Sequence, residues 1–474
     1  MGYVRGIVIH GSRFVGRRGP APADSAQLAV VGRRLLPCRS RASRRLTPAF
    51  SLVAGAFALL WAGAADATST RESPYDLFDQ FGRVLAWVEN EYVDPVERER
   101  LVEGALEGMV AELDPHSAYL APEDYAIFRS DTEGQFGGIG VEVDFSSEWV
   151  TVIAPIEGSP AARAGIRSGD RILAIDHASV RGKSPVDLVK RMRGAPGSSV
   201  LLTVRRDGME KLLYFTLTRE IIDVKSVASK LLTGNVGYLR IKAFQQGTHT
   251  ELLEHVAALR RAASGNVRGW LLDLRNNPGG LVDEATAVAD ELLPGGVVFT
   301  TRRRGAVVEE VRAQPGGALH RGALVVLVNE FTASSAEIVA GALKDNGRSR
   351  LVGARTFGKG SVQTIVDLPG GAGLRLTTLR YYTPRGRAIQ AQGLEPDVPV
   401  ASPGGEFGVM RERNLEGHLP EEFGAPVVAP PPESDPSALR EPLGKTSLGT
   451  EVPTDPRLGK DVALATAYRM IVGE

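Results

Sequence analysis

Two residues 25 positions apart could carry chemistry: Ser334 in Asn329-Glu-Phe-Thr-Ala-Ser-Ser-Ala-Glu-Ile338, where a helix begins, and Lys359 in Thr356-Phe-Gly-Lys-Gly-Ser-Val-Gln363, where a strand begins. Ser334-x-x-Glu337 ahead of Ile338, Val339, Ala342 and Leu343 is a capping-box pattern, and capping is what most such serines do. A helix N-terminus also turns backbone N–H groups and the positive end of its dipole toward a developing oxyanion. Whether Ser334 is a nucleophile therefore depends on a base. His116, His249, His255 and His320 stand in no triad-like setting, and no Gly-x-Ser-x-Gly elbow occurs. Lysine serves when burial lowers its pKa, because desolvation disfavours the ammonium. Lys359 has Phe357 beside it and a glycine on each side, and strand alternation puts Lys359, Ser361 and Gln363 on one face. Gln363 is thus placed to orient the amine without adding charge. The plainer alternatives are a capping serine and a solvated lysine in a glycine turn.

One competing pattern is excluded by a single residue. Gly353-Ala-Arg-Thr-Phe-Gly358-Lys359 has the spacing of a phosphate loop, but the next residue is Gly360, where a metal-binding Ser or Thr is required. The β-rich Ser361-Val-Gln-Thr-Ile-Val follows instead of a helix. A nucleotide-binding protein is the weakest of the readings.

The elements that must position this pair occupy a chain of 474 residues, long enough for two to four domains. The net charge of zero hides an asymmetry: residues 1–48 hold ten arginines against the single acid Asp24, and without residues 1–67 the body carries a net charge of −8. That body offers no nucleic-acid surface. After Arg44-Arg45 comes an apolar run, Leu46 to Ala65, closed by Ala65-Asp66-Ala67, in the order of an export signal. The expected location is periplasmic or otherwise extracytoplasmic. A core of roughly 15 residues is short for a membrane span, but an uncleaved N-terminal anchor stays open, as do a transit-like segment and a start codon lying downstream of Met1. The only cysteine, Cys38, precedes the run, so the body needs no disulfide and has no thiol nucleophile.

From Ser73 to about Gly134 the pattern is helical, with Leu77, Phe78, Phe81, Val84, Leu85 and Val88 at three-to-four spacing and Asp114-Pro-His-Ser117 as a break. Short alternating strands follow to Thr218, at Val150–Ala154, Arg171–Ile175 and Val200–Arg205, with a helix at Pro185–Arg193. Beyond Ile222, strands at Val236–Lys242, Gly269–Arg275, Leu324–Asn329 and Ser361–Leu368 alternate with helices at Thr248–Ala263, Leu281–Leu293 and Ser335–Asp345. Such alternation predicts a largely parallel sheet whose ligands sit at the carboxyl ends of its strands. Asn276-Asn-Pro-Gly-Gly280 and Thr332-Ala-Ser334 both lie just beyond such ends and are expected to share a crevice.

The segment with Gly138-Ile139-Gly140-Val141 and Ser159-Pro-Ala…Gly169-Asp-Arg-Ile-Leu resembles a PDZ domain. A Gly-rich turn of that kind holds a terminal carboxylate on its N–H groups while a sheet edge takes the peptide as an added strand. The whole order resembles the carboxyl-terminal processing peptidases, or tail-specific proteases: a signal, a helical segment with Leu113-Asp-Pro-His-Ser-Ala-Tyr-Leu120, the PDZ-like segment, Asp273-Leu-Arg-Asn-Asn-Pro-Gly-Gly280, Thr332-Ala-Ser-Ser-Ala-Glu-Ile338, Asp345-Asn-Gly-Arg348 and Thr356–Gln363.

The resemblance implies a serine endopeptidase acting near protein C-termini. Ser334 would be its nucleophile, Lys359 its general base and Gln363 the support of that base. The oxyanion hole would be the N–H of Gly280, or of Gly279, with that of Ser335. It implies no metal and no organic cofactor. Its partners would be proteins or peptides with unstructured tails, with an adaptor or a homo-oligomer left open. The family commonly reads Ala-Ser-Ala-Ser-Glu; here Ala333-Ser-Ser-Ala-Glu337 displaces the second serine, which makes Ser335 a weaker alternative nucleophile. A PDZ-bearing peptide-binding protein with an inactive peptidase domain is the alternative function.

The expected architecture is multidomain α/β. It comprises an extension with signal or anchor (1–67), a helical N-terminal segment (73–134), an inserted β-rich PDZ domain (135–218), an α/β Ser–Lys peptidase core with a largely parallel sheet (219–415), a Pro-rich linker (416–454) and a C-terminal helix (455–474).

Overall fold

A computed structural model describes residues 74–145, 148–400, 411–420 and 452–474. The signal-like run, Cys38 and most of the Pro-rich linker lie outside the described residues. The described residues divide into two compact units, 74–102 and those from 103 onward. Helix α1 (Pro74–Glu91) belongs to the first, and α2 (Arg98–Ala111) begins in it. The apolar stripe of α1 is present but exposed at Phe78, Phe81, Val84 and Trp87. No helix among the described residues is long and apolar enough to cross a membrane.

The stretch expected to be helical up to Gly134 is interrupted. Asp114-Pro-His-Ser117 ends α2, β1 (Ala118–Leu120) pairs antiparallel with a strand more than 250 residues away, and only then does α3 (Pro122–Glu133) form. Three residues are too few for a strand signal in sequence, and the partner strand decides their conformation.

Strand β2 (Gln135–Gly138) leads into a six-stranded antiparallel unit: β3 (Val141–Asp144), β4 (Val150–Pro155), the short helix α4 (Pro160–Arg163), β5 (Arg171–Ile175), β6 (Ala178–Ser179), α5 (Pro185–Met192), β7 (Ser199–Arg205) and β8 (Leu213–Thr218). Strand β9 (Glu220–Asp223) leaves it and pairs with β2, so the unit hangs on a two-stranded ribbon. Ser184 caps α5 by accepting from the Asp187 N–H at 3.1 Å, with Pro185 at the first helical position. The unit has its own core, including Ile139, Val152, Ile172, Leu202 and Leu217.

The core domain then runs through β10 (Val227–Leu232), β11 (Val236–Ile241), α6 (Thr248–Ala262), β12 (Gly269–Asp273), α7 (Val282–Leu292), the hairpin β13 (Gly296–Arg303) and β14 (Ala306–Ala313), β15 (Ala323–Val328), α8 (Ser335–Asp345), β16 (Arg350–Gly353), β17 (Ser361–Asp367), β18 (Gly373–Tyr382), β19 (Val398–Pro399) and α9 (Val462–Val472). One sheet has the order β10-β11-β12-β15-β16-β19, antiparallel only between β10 and β11. Alternation along its strands sorts the side chains onto two faces. Leu239, Ile241, Leu272, Val326 and Val328 face α6, α7 and α8. Tyr238, Leu271, Val325 and Leu327 meet Leu464, Ala467, Tyr468 and Ile471 of α9. A sheet covered on both faces reads as continuous apolar runs, as β12 and β15 do. A second, five-stranded antiparallel sheet, β1-β18-β13-β14 with β17 also on β18, has no counterpart in the sequence expectations for 296–313 and 373–382.

Because the cores are separate, Leu202→Ala in the β3–β8 unit is expected to cost about 2–5 kcal/mol in that unit alone. Calorimetry should show one transition moving to lower temperature and the other staying in place; a shift of both together would mean the cores unfold as one.

Candidate active site

Strands β12 and β15 are neighbours and parallel, so the loops that follow them leave the sheet at the same end. Hydrogen bonds stitch these loops together: Ala333 N–H to Asn277 O at 2.9 Å, Thr332 Oγ1 to Leu274 O at 2.9 Å, and Asn276 N–H to Asn329 Oδ1 at 2.9 Å. The shared crevice expected from the strand-end rule is therefore built. Beneath it, Asp273 accepts from Tyr238 Oη at 2.8 Å and from the Arg275 guanidinium at 2.6 Å, and Arg275 reaches Asp461 at the start of α9 at 2.8 Å. Burial opposes the Asp273 carboxylate, but Arg275 beside it holds it below the usual range.

Ser334 sits on the turn into α8 with φ 57° and ψ −124°, a backbone region that costs a non-glycine residue of order 1–3 kcal/mol. The Gly-Gly turn presses against it. A Cβ on Gly279, whose φ is 99°, would lie 2.7 Å from Ser334 Cβ and 2.9 Å from Ala333 O, so only glycine fits there. Of the two glycine amides left open for an oxyanion hole, Gly279 N–H is committed to Asn277 Oδ1 at 2.9 Å. Ser335 is the first residue of α8, where an N–H has no intrahelical acceptor.

Glu337, one turn into α8, is fully buried and takes four donors. Ser334 N–H reaches its Oε2 at 2.9 Å, Lys359 N–H the same oxygen at 2.9 Å, Gly358 N–H its Oε1 at 2.8 Å, and Thr356 Oγ1 donates to Oε1. Burial pushes this carboxyl up and the four donors pull it partway back, leaving it raised to about 8. Glu337 fills its half of the capping box, but Ser334 Oγ does not fill the other: it is buried and has no hydrogen-bond partner among the described residues, and the same holds for Ser335 Oγ. The Ser334 hydroxyl is thus not engaged as a helix cap.

Lys359 is 2% exposed. Burial, with the Arg375 guanidinium nearby, lowers its ammonium to about 8, and Glu412, Asp114 and Glu337 act in the opposite sense. Gln363 is also buried, and its Nε2 donates to Ser361 Oγ at 2.9 Å and to Thr377 Oγ1 at 3.2 Å. It shares a side with Ser361 as alternation predicts. Yet the pairing with β18 shifts register between Val362 and Gln363, and among the described residues the amide contacts hydroxyls rather than the Lys359 amine.

Asp114, Ser117 and Thr377 extend this network. Burial works against the Asp114 carboxylate, but Ser117, His116 and Thr377 donate to it and hold it below its ordinary value. In sequence the Asp-Pro-His-Ser turn reads as a helix break and as part of the family-like order, with no role of its own, since its contacts lie about 260 residues further on.

In the inserted unit, β3 is an edge strand whose other neighbour is β4. The Gly138-Ile139-Gly140-Val141 turn precedes it. Gly138 bridges to Arg193 at the end of α5, Ile139 is buried in the unit's core, and Gly140 O accepts from Ile156 N–H and Ser159 Oγ, both at 2.9 Å. A cavity of about 270 Å³ lies between the base of this unit and the glycine turn, lined by Phe136, Arg193, Phe244, Gln245, Gly279 and Gly280 among others.

Residues 235–400 match the sequence model of peptidase family S41, 151–206 that of the PDZ domain, and 61–124 that of the activating protease CtpB N-terminal domain. A carboxy-terminal-processing protease of Bartonella bacilliformis is 36% identical over 432 residues, spanning 89% of this chain and 95% of the relative. A CtpA-like serine protease of Staphylococcus epidermidis is 37% identical over 324 residues, 68% of this chain and 65% of that protein. Among solved structures, the photosystem II D1 C-terminal processing protease is similar at 32% identity and a TM-score of 0.45, covering 68% of this chain and 86% of that one. The identity over nearly the whole relative decides the matter: the chain belongs to peptidase family S41 and is a serine peptidase of the carboxy-terminal-processing protease family.

Proposed function

We propose that the chain hydrolyses peptide bonds near protein C-termini through an acyl-enzyme, with Ser334 as nucleophile and Lys359 as general base. The observation that carries this reading is the burial of Lys359, which brings its amine close to neutrality on a loop fastened to Ser334 through Glu337. Neutral Lys359 takes the hydroxyl proton as Ser334 Oγ attacks the carbonyl carbon. The oxyanion rests on the N–H groups of Gly280 and Ser335, Gly279 being committed elsewhere; each such donor is typically worth about 3 kcal/mol. The Lys359 ammonium returns the proton to the leaving amine, and water, deprotonated by the same lysine, releases the acid and regenerates Ser334. Gln363 supports the site through Ser361 and Thr377, fixing the first turn of strand after the base.

Recognition is assigned to the PDZ domain, whose β3 edge accepts an unstructured tail as an added strand with the tail's carboxylate at Gly138-Ile139-Gly140-Val141. The Arg-rich start and the apolar run before Ala67 support action outside the cytoplasm.

Ser334→Ala and Lys359→Ala are expected to lower cleavage of an apolar-tailed, unstructured protein by about 10²-fold or more while the fold is kept. Mass spectrometry of product ends and circular dichroism check this, and wild-type turnover by Lys359→Ala would remove the dyad. The pH dependence has a definite sign. Only the neutral amine is competent, so kcat/KM should rise with pH, with a midpoint near 8 and roughly a tenth of the plateau at pH 7. Glu337 ionises over the same range, and its carboxylate favours the Lys359 ammonium, so it broadens the rise without changing its sign. A flat profile from pH 6 to 10 with chemistry rate-limiting would rule out a lysine base.

A further inference from the structure

His116 and Glu412 lie 296 residues apart and are not used by the dyad, yet they form a pair beside it. His116 Nε2 meets both carboxylate oxygens of Glu412, at 2.9 and 2.8 Å, and the Glu412 side chain is fully buried. The same carboxylate accepts from Gln390 Nε2 at 2.8 Å, and Gln390 Oε1 accepts from the N–H of Gly360, the residue after Lys359, at 2.9 Å. The Glu412 N–H donates to Phe357 O at 3.2 Å, two residues before Lys359. Glu412 thus grips the lysine loop on both sides of the base, once through its own backbone and once through Gln390.

The pair is also tied to the other support of the site. His116 N–H donates to Asp114 Oδ1 at 2.8 Å, and its carbonyl accepts from Arg375 Nε at 2.7 Å. Asp114 holds Thr377, which accepts from Gln363. One turn, Asp114-Pro-His-Ser117, therefore reaches Gly360 through His116 and Gln363 through Asp114.

We propose that His116 and Glu412 are positioning residues for Lys359: through Gln390 and Gly360 they fix where the amine stands, and the Glu412 carboxylate sets part of the field in which it exchanges its proton. The inference rests on Lys359 being the base. The charged groups that act on Lys359 are Glu337 from α8, Asp114 from the turn after α2, Arg375 from β18 and Glu412 from the 411–420 stretch, and the titratable His116 lies against Glu412. Of these, Glu337 and Glu412 hold the lysine loop's backbone directly, and Glu412 alone has a histidine against it. A purely structural pair would serve as well with a neutral isostere of Glu412. A positioning pair with a field would not, because a nearby negative charge favours the ammonium.

The test uses the full chain and an internally quenched peptide with an apolar C-terminal tail. Glu412→Gln keeps an acceptor for Gln390 and removes the charge, so the midpoint of the kcat/KM profile should fall by about half a pH unit or more. His116→Ala should lower the high-pH plateau of kcat by about tenfold or more with little change in KM, since the loop and not the peptide site is disturbed. His116→Gln, whose amide nitrogen can reach the place of Nε2, should recover most of that loss. If His116→Ala does not fold, Glu412→Gln and His116→Gln still decide the matter. A wild-type midpoint in Glu412→Gln overturns the role of the field, and a His116→Ala plateau equal to wild type, or one that His116→Gln does not restore, overturns the positioning. Ser334→Ala and Lys359→Ala run alongside separate the two readings. Full turnover by Lys359→Ala would mean the dyad is wrong, whereas inactive dyad variants with unaltered Glu412→Gln and His116→Ala profiles would mean that only the positioning role is wrong.

Discussion

A single buried carboxyl group, that of Glu337, holds Ser334 and the lysine loop in register. Glu337 receives N–H donors from Ser334, Gly358 and Lys359 and the hydroxyl of Thr356, so the start of α8 and the loop before β17 are bound to the same two oxygens. A carboxyl in this setting is costly unless it is fully hydrogen-bonded, and here every contact is a donor. That requirement works in both directions. Moving either loop would leave a buried carboxyl and its donors short of partners, so the spacing of Ser334 and Lys359 is kept by the cost of leaving Glu337 unsatisfied.

The other side of the lysine loop depends on a different layer. The parallel sheet with its helices presents the Asn276–Gly280 and Ser334 turns, but β17, β18 and β1 belong to the antiparallel sheet, and they bring Gln363, Thr377, Arg375 and the Asp114–Ser117 turn toward Lys359. Lys359 lies at the junction of the two sheets. There it is removed from water on all sides, and desolvation outweighs the three carboxylates that favour its charge. Strain at Ser334 and a buried amine are both destabilising features, tolerated because α8 is packed on every face, from Ile338 to Leu343.

The PDZ domain is attached differently. Its core shares no residue with the cores of the peptidase domain, and the chain enters and leaves through the β2–β9 ribbon. Outside the ribbon, Lys190 and Arg193 pair with Asp124 and Asp131 of α3. The cavity at its base is bordered by Arg193 on one side and Gly279 and Gly280 on the other.

Much of this was legible in residue order. Alternation and three-to-four spacing located α8 at Ser335–Asp345, placed β12, β15 and β17 within two residues of their ends, and predicted a largely parallel sheet. The strand-end rule then joined the Asn276 and Ser334 loops. These are local properties, or consequences of connecting local elements, and the sequence by itself determines them. The tertiary structure alone decided which contacts the polar residues make. The bulge after Val362 turned the Gln363 amide to Ser361 and Thr377. Asn277 took the Gly279 amide, the Ser334 hydroxyl was left out of its cap, and His116 found Glu412 across 296 residues. Hydrogen bonds are short and directional, so a shift of one residue in register redirects them, whereas the hydrophobic pattern tolerates it over a whole element.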